Sequence, residues 1–504
     1  MKKTFKQTLA IFLTVIMAFS VLPVLGIDLA PKASALSASG QITSTISYTY
    51  DNDTGTLTIS GTGNMPNYES CKSPFYRSQA KRIIIEAGIT SIGKWAFENC
   101  EDLVNITIPE SVENIGDYAF YGCGITSINI PSSVKSIGIG LFHNCFDLES
   151  VIIPNGITEI GYRDFYNCYN LTDITIPESV TSIGKEAFAY CISLLNITIP
   201  DSVTSIGDLA FMRCESLENI IIPDGVTSIG GGAFDDCSNL KNVTLPDSLT
   251  DMRALFLNCK SLESIVIPNG TTRIYDSTFL GCESLKSITL PDSITAIGNN
   301  AFCNCGSLTE ITIPEKVTSI GMGAFEKCDS LQSITIPNGV SIIGEAAFRY
   351  CKNLRKVIIP DSVTHFGANA FADCSNLIIY CYKDSCAHEY AVEHHISYVL
   401  MERDLDSVSI SDIEINYKDS TKITPKIEAK DGVKYTVEFS SSNPSVAAVD
   451  KNGNIYGAGK GTAEITCKVT DSDGYTIKDT CTVTVKLQWW EWIIWILLFG
   501  FLWY

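Results

Sequence analysis

The sequence predicts a mostly β protein, in which a solenoid of about 13 repeats of 22–23 residues is followed by a β-sandwich. Two observations predict this fold class. A cysteine recurs every 22 or 23 residues, and such a period indicates one supersecondary unit stacked on copies of itself. The period then stops before residue 404, and short β-rich segments separated by turns follow it. The periodic cysteines are Cys100, Cys123, Cys145, Cys168, Cys191, Cys214, Cys237, Cys259, Cys282, Cys305, Cys328, Cys351 and Cys374.

The chain begins with a segment typical of exported proteins. Three lysines within the first six residues precede an apolar run over 9–25, and Ala33-Ser34-Ala35 provides a small-x-small cleavage site. We therefore expect residues 1–35 to be a signal peptide and the protein to be secreted.

Each repeat reads L-x-x-I-x-I-P-x-x-V-x-x-I-G-x-x-A-F-x-x-C, as in residues 171–191. The apolar residues of the first part have a period of two, and Pro177 ends the strand because it has no N–H to donate. This predicts one short strand per repeat. Gly184 is expected to give the backbone freedom for a corner. After the corner, Ala187, Phe188 and Cys191 are expected to point into the core.

The periodic cysteines have two interpretations. A disulfide or metal framework is one, but the ladder contains no C-x-x-C spacing. A stripe of small buried residues is the favoured one, because a free cysteine behaves as a small hydrophobe. We therefore predict free thiols in the core, with no metal site and no cofactor.

The I-x-I-P, I-G, A-F and C marks over residues 81–400 resemble the BspA-like leucine-rich repeats of bacterial surface proteins. The resemblance implies a leucine-rich-repeat solenoid with an N-terminal β cap over 41–80, including a hairpin over 48–62. It also implies a closing helix over 385–395 with Ser385 as its N-cap. In function it implies cell adhesion and protein binding, with host matrix proteins, other cells or glycans as partners.

Residues 404–486 form a separate predicted domain. Turn sequences such as Asp431-Gly432 and Asn452-Gly453 separate short β-rich segments. The stretch from Ser440 to Thr466 resembles the group 2 bacterial immunoglobulin-like domain, which implies a stalk or an adhesive unit. Cys467 and Cys481 flank a turn, and a hairpin would place them nearly opposite each other. The sequence leaves two alternatives for this pair, a disulfide or two free thiols.

Residues 487–504 form a hydrophobic, aromatic C-terminal segment. As a helix, its last 16 residues would measure about 24 Å, less than the roughly 30 Å of a hydrocarbon core. Aromatic residues at both ends fit the headgroup region, so a membrane or envelope anchor is the first interpretation. Docking on another surface protein is the alternative. The predicted anchor residues are Trp489, Trp490, Trp492, Trp495, Trp503 and Tyr504.

Composition excludes some functions. The formal net charge is −20 and the pI is about 4.7, so a nucleic-acid backbone would be repelled. The sequence has five histidines and lacks the G-x-S-x-G, H-E-x-x-H and phosphate-loop patterns. We therefore predict that the protein is not an enzyme and has no nucleic-acid partner.

Aromatic residues concentrate in the first half of the solenoid, near the turn that follows the repeat phenylalanine. Stacked at one repeat spacing, they would form a strip for a glycan or for a protein hot spot. The alternative is that they only cover loop backbone. A second surface is the strand face, where threonines recur with a few isoleucines and valines. The predicted strip consists of Tyr118, Tyr121, His143, Tyr162, Tyr166, Tyr169 and Tyr190.

One repeat is irregular. Between Pro246 and Cys259 the unit is one residue short and lacks its glycine, and the next repeat has Thr271, Tyr275 and Thr278 in place of the usual Val, Gly and Ala. We expect a bend or a weak point there. The sequence as a whole predicts a surface-retained binding protein, with an adhesin as the first interpretation and a non-catalytic structural component of the envelope as the alternative.

Overall fold

The computed structural model describes residues 36–471 and 475–487. They divide into two units: unit 1 contains residues 36–157 and 163–171, and unit 2 contains residues 158–162, 172–471 and 475–487. Both units contain stacked coils with parallel strand pairing, and unit 2 ends in an all-β domain. The predicted fold class is thus confirmed. The predicted signal peptide and the anchor residues 489–504 lie outside the described residues.

The N-terminal cap is a set of antiparallel strands. Strand β1 (Ser39–Gln41) pairs with β2 (Ile46–Asp51), which pairs with β3 (Thr56–Gly61) across a turn at 52–55. Strand β3 then pairs in parallel with β5 (Arg82–Ile85), the first strand of the repeats. The hairpin expected over 48–62 is therefore present, and it supplies the first coil with hydrogen-bonding partners.

One strand of each coil is the predicted one, formed by the I-x-I part of the repeat. Its first position is exposed and its second is buried, so these strands bury one face. Besides β5, these strands are β7 (Asn105–Thr107), β9 (Ser127–Asn129) and β11 (Ser150–Ile152) in unit 1, and β13 (Asp173–Thr175), β15 (Asn196–Thr198), β17 (Asn219–Ile221), β19 (Asn242–Thr244), β21 (Ser287–Ile288), β23 (Glu310–Ile311), β25 (Ser333–Thr335), β27 (Lys356–Ile358) and β29 (Ile378–Tyr382) in unit 2.

A second strand per coil was not predicted. It precedes the repeat glycine and in most coils has only two residues, which is too short to show a period in the sequence. Neighbouring coils pair it in parallel, for example Ser182 with Ser205 and Ile183 with Ile206. These strands are β4 (Gly63–Asn64), β6 (Ile89–Ile92), β8 (Asn114–Ile115) and β10 (Ser136–Ile137) in unit 1, and β12 (Glu159–Ile160), β14 (Ser182–Ile183), β16 (Ser205–Ile206), β18 (Ser228–Ile229), β20 (Arg273–Ile274), β22 (Ala296–Ile297), β24 (Ser319–Ile320), β26 (Ile342–Ile343) and β28 (His365–Phe366) in unit 2.

The core of the coils is a stack of phenylalanine rings beside the cysteine ladder. Within each unit, successive repeat phenylalanines lie 5.1–5.8 Å apart between ring centroids. The ladder cysteines from Cys100 to Cys351 are buried, as predicted for a core stripe, and the cysteines of the described residues form no disulfides. They also donate hydrogen bonds: the Sγ atom of Cys237 lies 3.1 Å from the carbonyl oxygen of Phe211 in the preceding coil. The thiol therefore contributes a hydrogen bond as well as packing.

The repeat glycine has a different role from the predicted one. The φ angle of Gly207 is not in the left-handed region, but a Cβ atom there would lie 2.7 Å from the carbonyl carbon of Gly184 in the preceding coil. Glycine is thus needed because two backbones approach closely. Left-handed φ angles occur instead at two other positions of each turn, for example at Glu186 (56°) and Tyr190 (64°). The expectation that the glycine provides conformational freedom was wrong.

The irregular repeat interrupts both strand ladders. Within the described residues, the short-strand sheet ending at β18 and the one beginning at β20 are separate. In the other ladder, the coil after β19 makes only an isolated bridge, from Val266 to Thr289. The predicted weak point therefore coincides with a break in strand pairing.

Helix α1 (Cys386–Glu393) and strand β30 (Ser397–Met401) close the coils. The side chain of Ser385 accepts a hydrogen bond from the backbone N–H of His388, so Ser385 is the N-cap as predicted. Strand β30 pairs in parallel with β29. Arg403 follows, and its Nε atom donates to Asp361 at 3.2 Å while its guanidinium lies 4.5 Å from the ring centroid of Tyr475. Arg403 thus joins the last coils to the C-terminal domain.

The C-terminal domain consists of three sheets that enclose an apolar core around Ile455, Ile465 and Val483. Strands β31 (Leu405–Ser409) and β34 (Lys426–Ala429) form one pair. The order of the second sheet is β32 (Ile413–Asn416), β39 (Thr476–Lys486), β38 (Gly461–Asp471) and β35 (Tyr435–Ser441), and the third contains β33 (Ser420–Lys422), β37 (Asn454–Gly457) and β36 (Ala447–Val449). This is the immunoglobulin-like domain that the sequence predicted.

Cys467 and Cys481 are not opposite each other. In the β38–β39 hairpin, Cys467 faces Asp479 and Cys481 faces Ile465, so the two thiols are diagonal neighbours. Diagonal positions are about 7–8 Å apart, which exceeds the usual Cα separation of a disulfide. Both thiols are free and buried. The prediction that the two cysteines are nearly opposite each other was wrong, because Cys481 lies two residues beyond the position opposite Cys467. The turn sequence alone does not fix the register of the hairpin.

Candidate functional site

Five of the seven residues of the predicted aromatic strip lie in the turns of unit 1 that contain the repeat phenylalanine and cysteine. Phe120 and Cys123 are buried there, which anchors the turn on both sides of Tyr121. Tyr118 has a φ angle of 53°, in the left-handed region. The turn therefore holds Tyr118 and Tyr121 on the same part of the surface.

The structure brings four of the predicted residues together and adds Trp95. The rings of Trp95 and Tyr118 are stacked, with centroids 4.3 Å apart and an interplanar angle of 11°. The ring of His143 lies 5.0 Å from that of Tyr121 and 4.7 Å from that of Tyr166. We call Trp95, Tyr118, Tyr121, His143 and Tyr166 the aromatic strip. Trp95 occupies the same repeat position as Tyr118, so an alignment of the repeats would have found it.

Burial keeps the strip uncharged. His143 is only 9% exposed, and its Nδ1 atom has no hydrogen-bond partner among the described residues. Burial, together with the nearby Arg163, lowers the pKa of His143 to about 4. Burial also raises the pKa of Tyr121, whose hydroxyl accepts a hydrogen bond of 2.8 Å from Asn144. At neutral pH the strip therefore consists of neutral rings.

A second group of unit 1 is more accessible. Phe146 and Tyr169 follow the ladder cysteines of their coils, and their ring centroids are 5.1 Å apart. Phe146 is 45% exposed and Tyr169 36% exposed. We call them the outer pair. Exposed aromatic side chains of this kind are typical anchors of protein interfaces.

The remaining predicted residues, Tyr162 and Tyr190, belong to unit 2. The ring of Tyr190 lies 5.4 Å from the guanidinium of Arg213. In unit 2, the repeat position of Tyr121 is occupied by residues of varied chemistry, including Met212, Asp235 and Leu257.

The geometry decides which part of the strip can meet a ligand. Trp95 and Tyr118 cover each other's ring faces, and His143 is buried between two tyrosines. A sugar ring packs its C–H groups on a free aromatic face. The strip therefore offers mainly ring edges and hydroxyl groups, and the outer pair offers exposed apolar area.

The strand face is the second candidate binding surface. Its exposed positions include Ile152, Ile221 and Val266, which are 64%, 68% and 81% exposed. These side chains are separated along the coils by smaller polar residues such as Thr244. They form scattered apolar points, which are normal on protein surfaces.

The part of the chain that the structure describes has no cluster of three or more His, Cys, Asp or Glu placed to bind a metal ion. Within the same ranges, no helix is both long enough and apolar enough to cross a membrane.

Comparison with known proteins identifies the repeats. A family model of the BspA type leucine rich repeat region matches in six copies over residues 71–194, 158–254 and 252–378. A second model, of the group 2 bacterial Ig-like domain, matches residues 405–483. The chain therefore belongs to the family of proteins with BspA type leucine rich repeats, and its C-terminal domain is a group 2 bacterial Ig-like domain.

Several solved structures are similar to the chain. A leucine-rich repeat protein from Bacteroides ovatus is 28% identical, with 72% of this chain and 100% of that one covered and a TM-score of 0.50. A leucine rich cell surface protein from Faecalibacterium prausnitzii is 30% identical, with 73% and 98% covered and a TM-score of 0.46. A leucine-rich repeat protein from Eubacterium ventriosum is 28% identical, with 57% and 94% covered and a TM-score of 0.41. No curated protein matches the chain.

Proposed function

We propose that this protein is a non-catalytic binding protein of the bacterial surface, an adhesin that uses its repeats to contact another protein. The observation that carries the proposal is the outer pair, which belongs to the same two turns of unit 1 as His143 and Tyr166 of the aromatic strip. Exposed aromatic anchors are typical of a protein hot spot, in which a few aromatic residues provide most of the binding energy.

A protein ligand is favoured over a glycan for a geometric reason. Stacking covers one ring face of Trp95 and one of Tyr118, and His143 is buried, so fewer free ring faces remain for a sugar ring. Ring edges, hydroxyl groups and the exposed outer pair suit the mixed polar and apolar surface of a protein.

Display at the cell surface is part of the proposal. It is supported by the leader that the sequence predicts over 1–35, by the aromatic segment over 487–504, and by the description of the Faecalibacterium prausnitzii relative as a cell surface protein. The Ig-like domain would then act as a spacer between the repeats and the envelope. Leucine-rich repeats and Ig-like domains are generally non-catalytic, in keeping with a binding role.

The test is binding of purified residues 36–486 to an array of extracellular matrix proteins and glycans. One double variant, Phe146→Ala with Tyr169→Ala, removes the outer pair. A second double variant, Tyr121→Ala with Tyr166→Ala, removes two residues of the aromatic strip, and circular dichroism checks that both variants fold. We expect saturable binding to a protein, weakened at least about tenfold by loss of the outer pair. Unchanged binding in both double variants would move the site to the strand face. Self-association without any ligand would favour the structural alternative.

A further inference from the structure

The cysteine ladder ends at Cys374, and this last thiol has surroundings that the others lack. The ladder cysteines from Cys100 to Cys351 are at most 1% exposed. Cys374 is half-buried and lines an open cavity of about 510 Å³. The cavity is also lined by polar groups of the last coil and of the segment after α1, including Asp373, His394 and His395. Water and small polar molecules can therefore reach the sulfur of Cys374.

The cavity exists because the stack stops there. Each earlier cysteine is covered by the coil that follows it, but the last coil is followed by α1. Tyr390 of α1 packs edge-on against Phe371, with ring centroids 6.1 Å apart, and so closes the phenylalanine stack. The helix covers the phenylalanine side of the last coil and leaves the cysteine side partly open.

Cys351 of the preceding coil is the neighbour of Cys374. The rings of Phe348 and Phe371, three residues before these cysteines, are 5.1 Å apart, which gives the coil spacing at this point. Disulfides span Cα separations of about 4.4–6.8 Å, so one coil spacing fits. The side-chain interaction with Cys351 lowers the pKa of Cys374, whereas burial raises the pKa of deeper thiols such as Cys214. Cys374 is thus the ladder thiol best suited to react as a thiolate.

We propose that Cys374 and Cys351 form an oxidation site, in which a hydroperoxide that enters the cavity oxidises Cys374 and Cys351 then closes a disulfide between the last two coils. The inference does not depend on the proposed adhesive function.

The two steps balance. The sulfur of Cys374 attacks one oxygen of the peroxide, the O–O bond breaks, and a sulfenic acid and one hydroxide or alkoxide form. The thiol of Cys351 then attacks that sulfur, the S–S bond forms, the S–O bond breaks and water leaves. Two thiols lose two electrons, which the peroxide gains. On its cysteine side the last coil faces the cavity and not a further coil, so the sulfur of Cys374 has room for the small adjustment required.

The other end of the ladder supplies a matched control. Cys100 and Cys123 are also in side-chain contact across one coil spacing. They are 0% and 1% exposed, and the Sγ atom of Cys100 lies 3.2 Å from the carbonyl oxygen of Phe75 in the coil before it. The same pair of thiols is therefore present there with both sulfur atoms shielded from solvent.

The experiment exposes the folded full chain to hydrogen peroxide and maps its peptides without reduction. We expect a disulfide between Cys351 and Cys374, and reduced thiols at Cys100 and Cys123. In Cys351→Ser, dimedone should trap a sulfenic acid at Cys374, and in Cys374→Ser both the disulfide and the adduct should be lost. Serine at 374 can still donate to the carbonyl oxygen of Phe348, which accepts from Cys374 at 3.1 Å, so this variant keeps that contact.

Two results would overturn the proposal. One is oxidation of Cys100 and Cys123 as fast as that of Cys374, because accessibility at the end of the ladder would then be irrelevant. The other is a disulfide from Cys374 to Cys386, which lies on α1 and is also half-buried. Loss of the product in Cys386→Ser but not in Cys351→Ser would identify that second case.

Discussion

A regular coil such as residues 217–240 and the interrupted coil that follows it share the same core and differ in their strands. The regular coil contains β17, which pairs with β19, and β18, which pairs with β16. Within the described residues, the interrupted coil has no strand in the short ladder. Yet Phe256 stacks on the rings before and after it at 5.7 Å, and the thiol of Cys259 donates to the carbonyl oxygen of Phe234 at 3.2 Å. The difference teaches that the phenylalanine and cysteine stack keeps the coils continuous where strand pairing fails.

The largest effect is expected from removing a ring of this stack. Phe256→Ala should lower the free energy of unfolding by about 3–5 kcal/mol, and by more than Phe211→Ala, because Phe256 lies in a coil with less strand pairing. Urea denaturation of both variants measures this. Equal losses would show that the strands of the regular coil do not reduce the cost of a missing ring.

The repeat glycine gives the next effect. Gly207→Ala places a Cβ atom 2.7 Å from the carbonyl carbon of Gly184, so we expect a loss of about 1–3 kcal/mol. Gly231→Ala is the matched control, since its Cβ atom would meet its nearest neighbour, the carbonyl oxygen of Arg253, at 3.5 Å. Gly231 follows the repeat glycine, at a position where other coils carry Lys185 or Asp208, so a side chain fits there. Similar melting temperatures of the two variants would contradict the close-approach explanation.

Asp235, in the coil before the interruption, is expected to make stability depend on pH. Burial, followed by the negative charge of Asp236, raises the pKa of Asp235 to about 7, and its Oδ1 atom has no hydrogen-bond partner among the described residues. The folded state then binds a proton that the unfolded state has released, so this contribution is present at low pH and is lost as pH rises from about 4 to about 7.

Asp235→Asn removes that dependence. We expect the variant to be about 1–2 kcal/mol more stable than the parent at pH 8 and similar to it at pH 4. Urea denaturation at both pH values checks this, with Asp201→Asn at an exposed site as the control. A stability difference that is the same at both pH values would show that the carboxyl group does not titrate differently on folding.

The smallest effect is expected at Thr278, whose hydroxyl donates to a carbonyl of the interrupted coil that lacks its usual partner, the repeat glycine. The hydroxyl of the buried Thr278 lies 3.3 Å from the carbonyl oxygen of Met252 and 2.9 Å from that of Tyr275. In a regular coil the corresponding carbonyl accepts from the repeat glycine, as Ile274 does from Gly298 at 2.8 Å. Thr278→Val should therefore cost about 1 kcal/mol although it keeps the side-chain volume. Thr278→Ser, which keeps the hydroxyl, should cost less, and the reverse order would favour a packing role.

The sequence predicts much of the fold and only part of the site. Its period fixes the coils, the position of Phe188 and Cys191 in the core, and the cap at Ser385, because burial and capping repeat with the residue types that cause them. Tyr121, His143 and Tyr166 are likewise predictable as neighbours, since equal repeat positions stack. The sequence does not predict which aromatic side chains are half-buried in the strip and which are exposed in the outer pair, because this depends on the direction of each side chain.

By itself, the sequence determined that the chain stacks coils, that its thiols line the core, and that an Ig-like domain follows. The reason is that apolar residues at a fixed period can be buried only by copies of the same unit. Tertiary structure alone decided the second strand of each coil, the reason for the glycine and the diagonal placement of Cys467 and Cys481. It also decided that Cys374 remains accessible. These features depend on the distance between neighbouring coils or strands, and a repeat pattern carries no information about that distance.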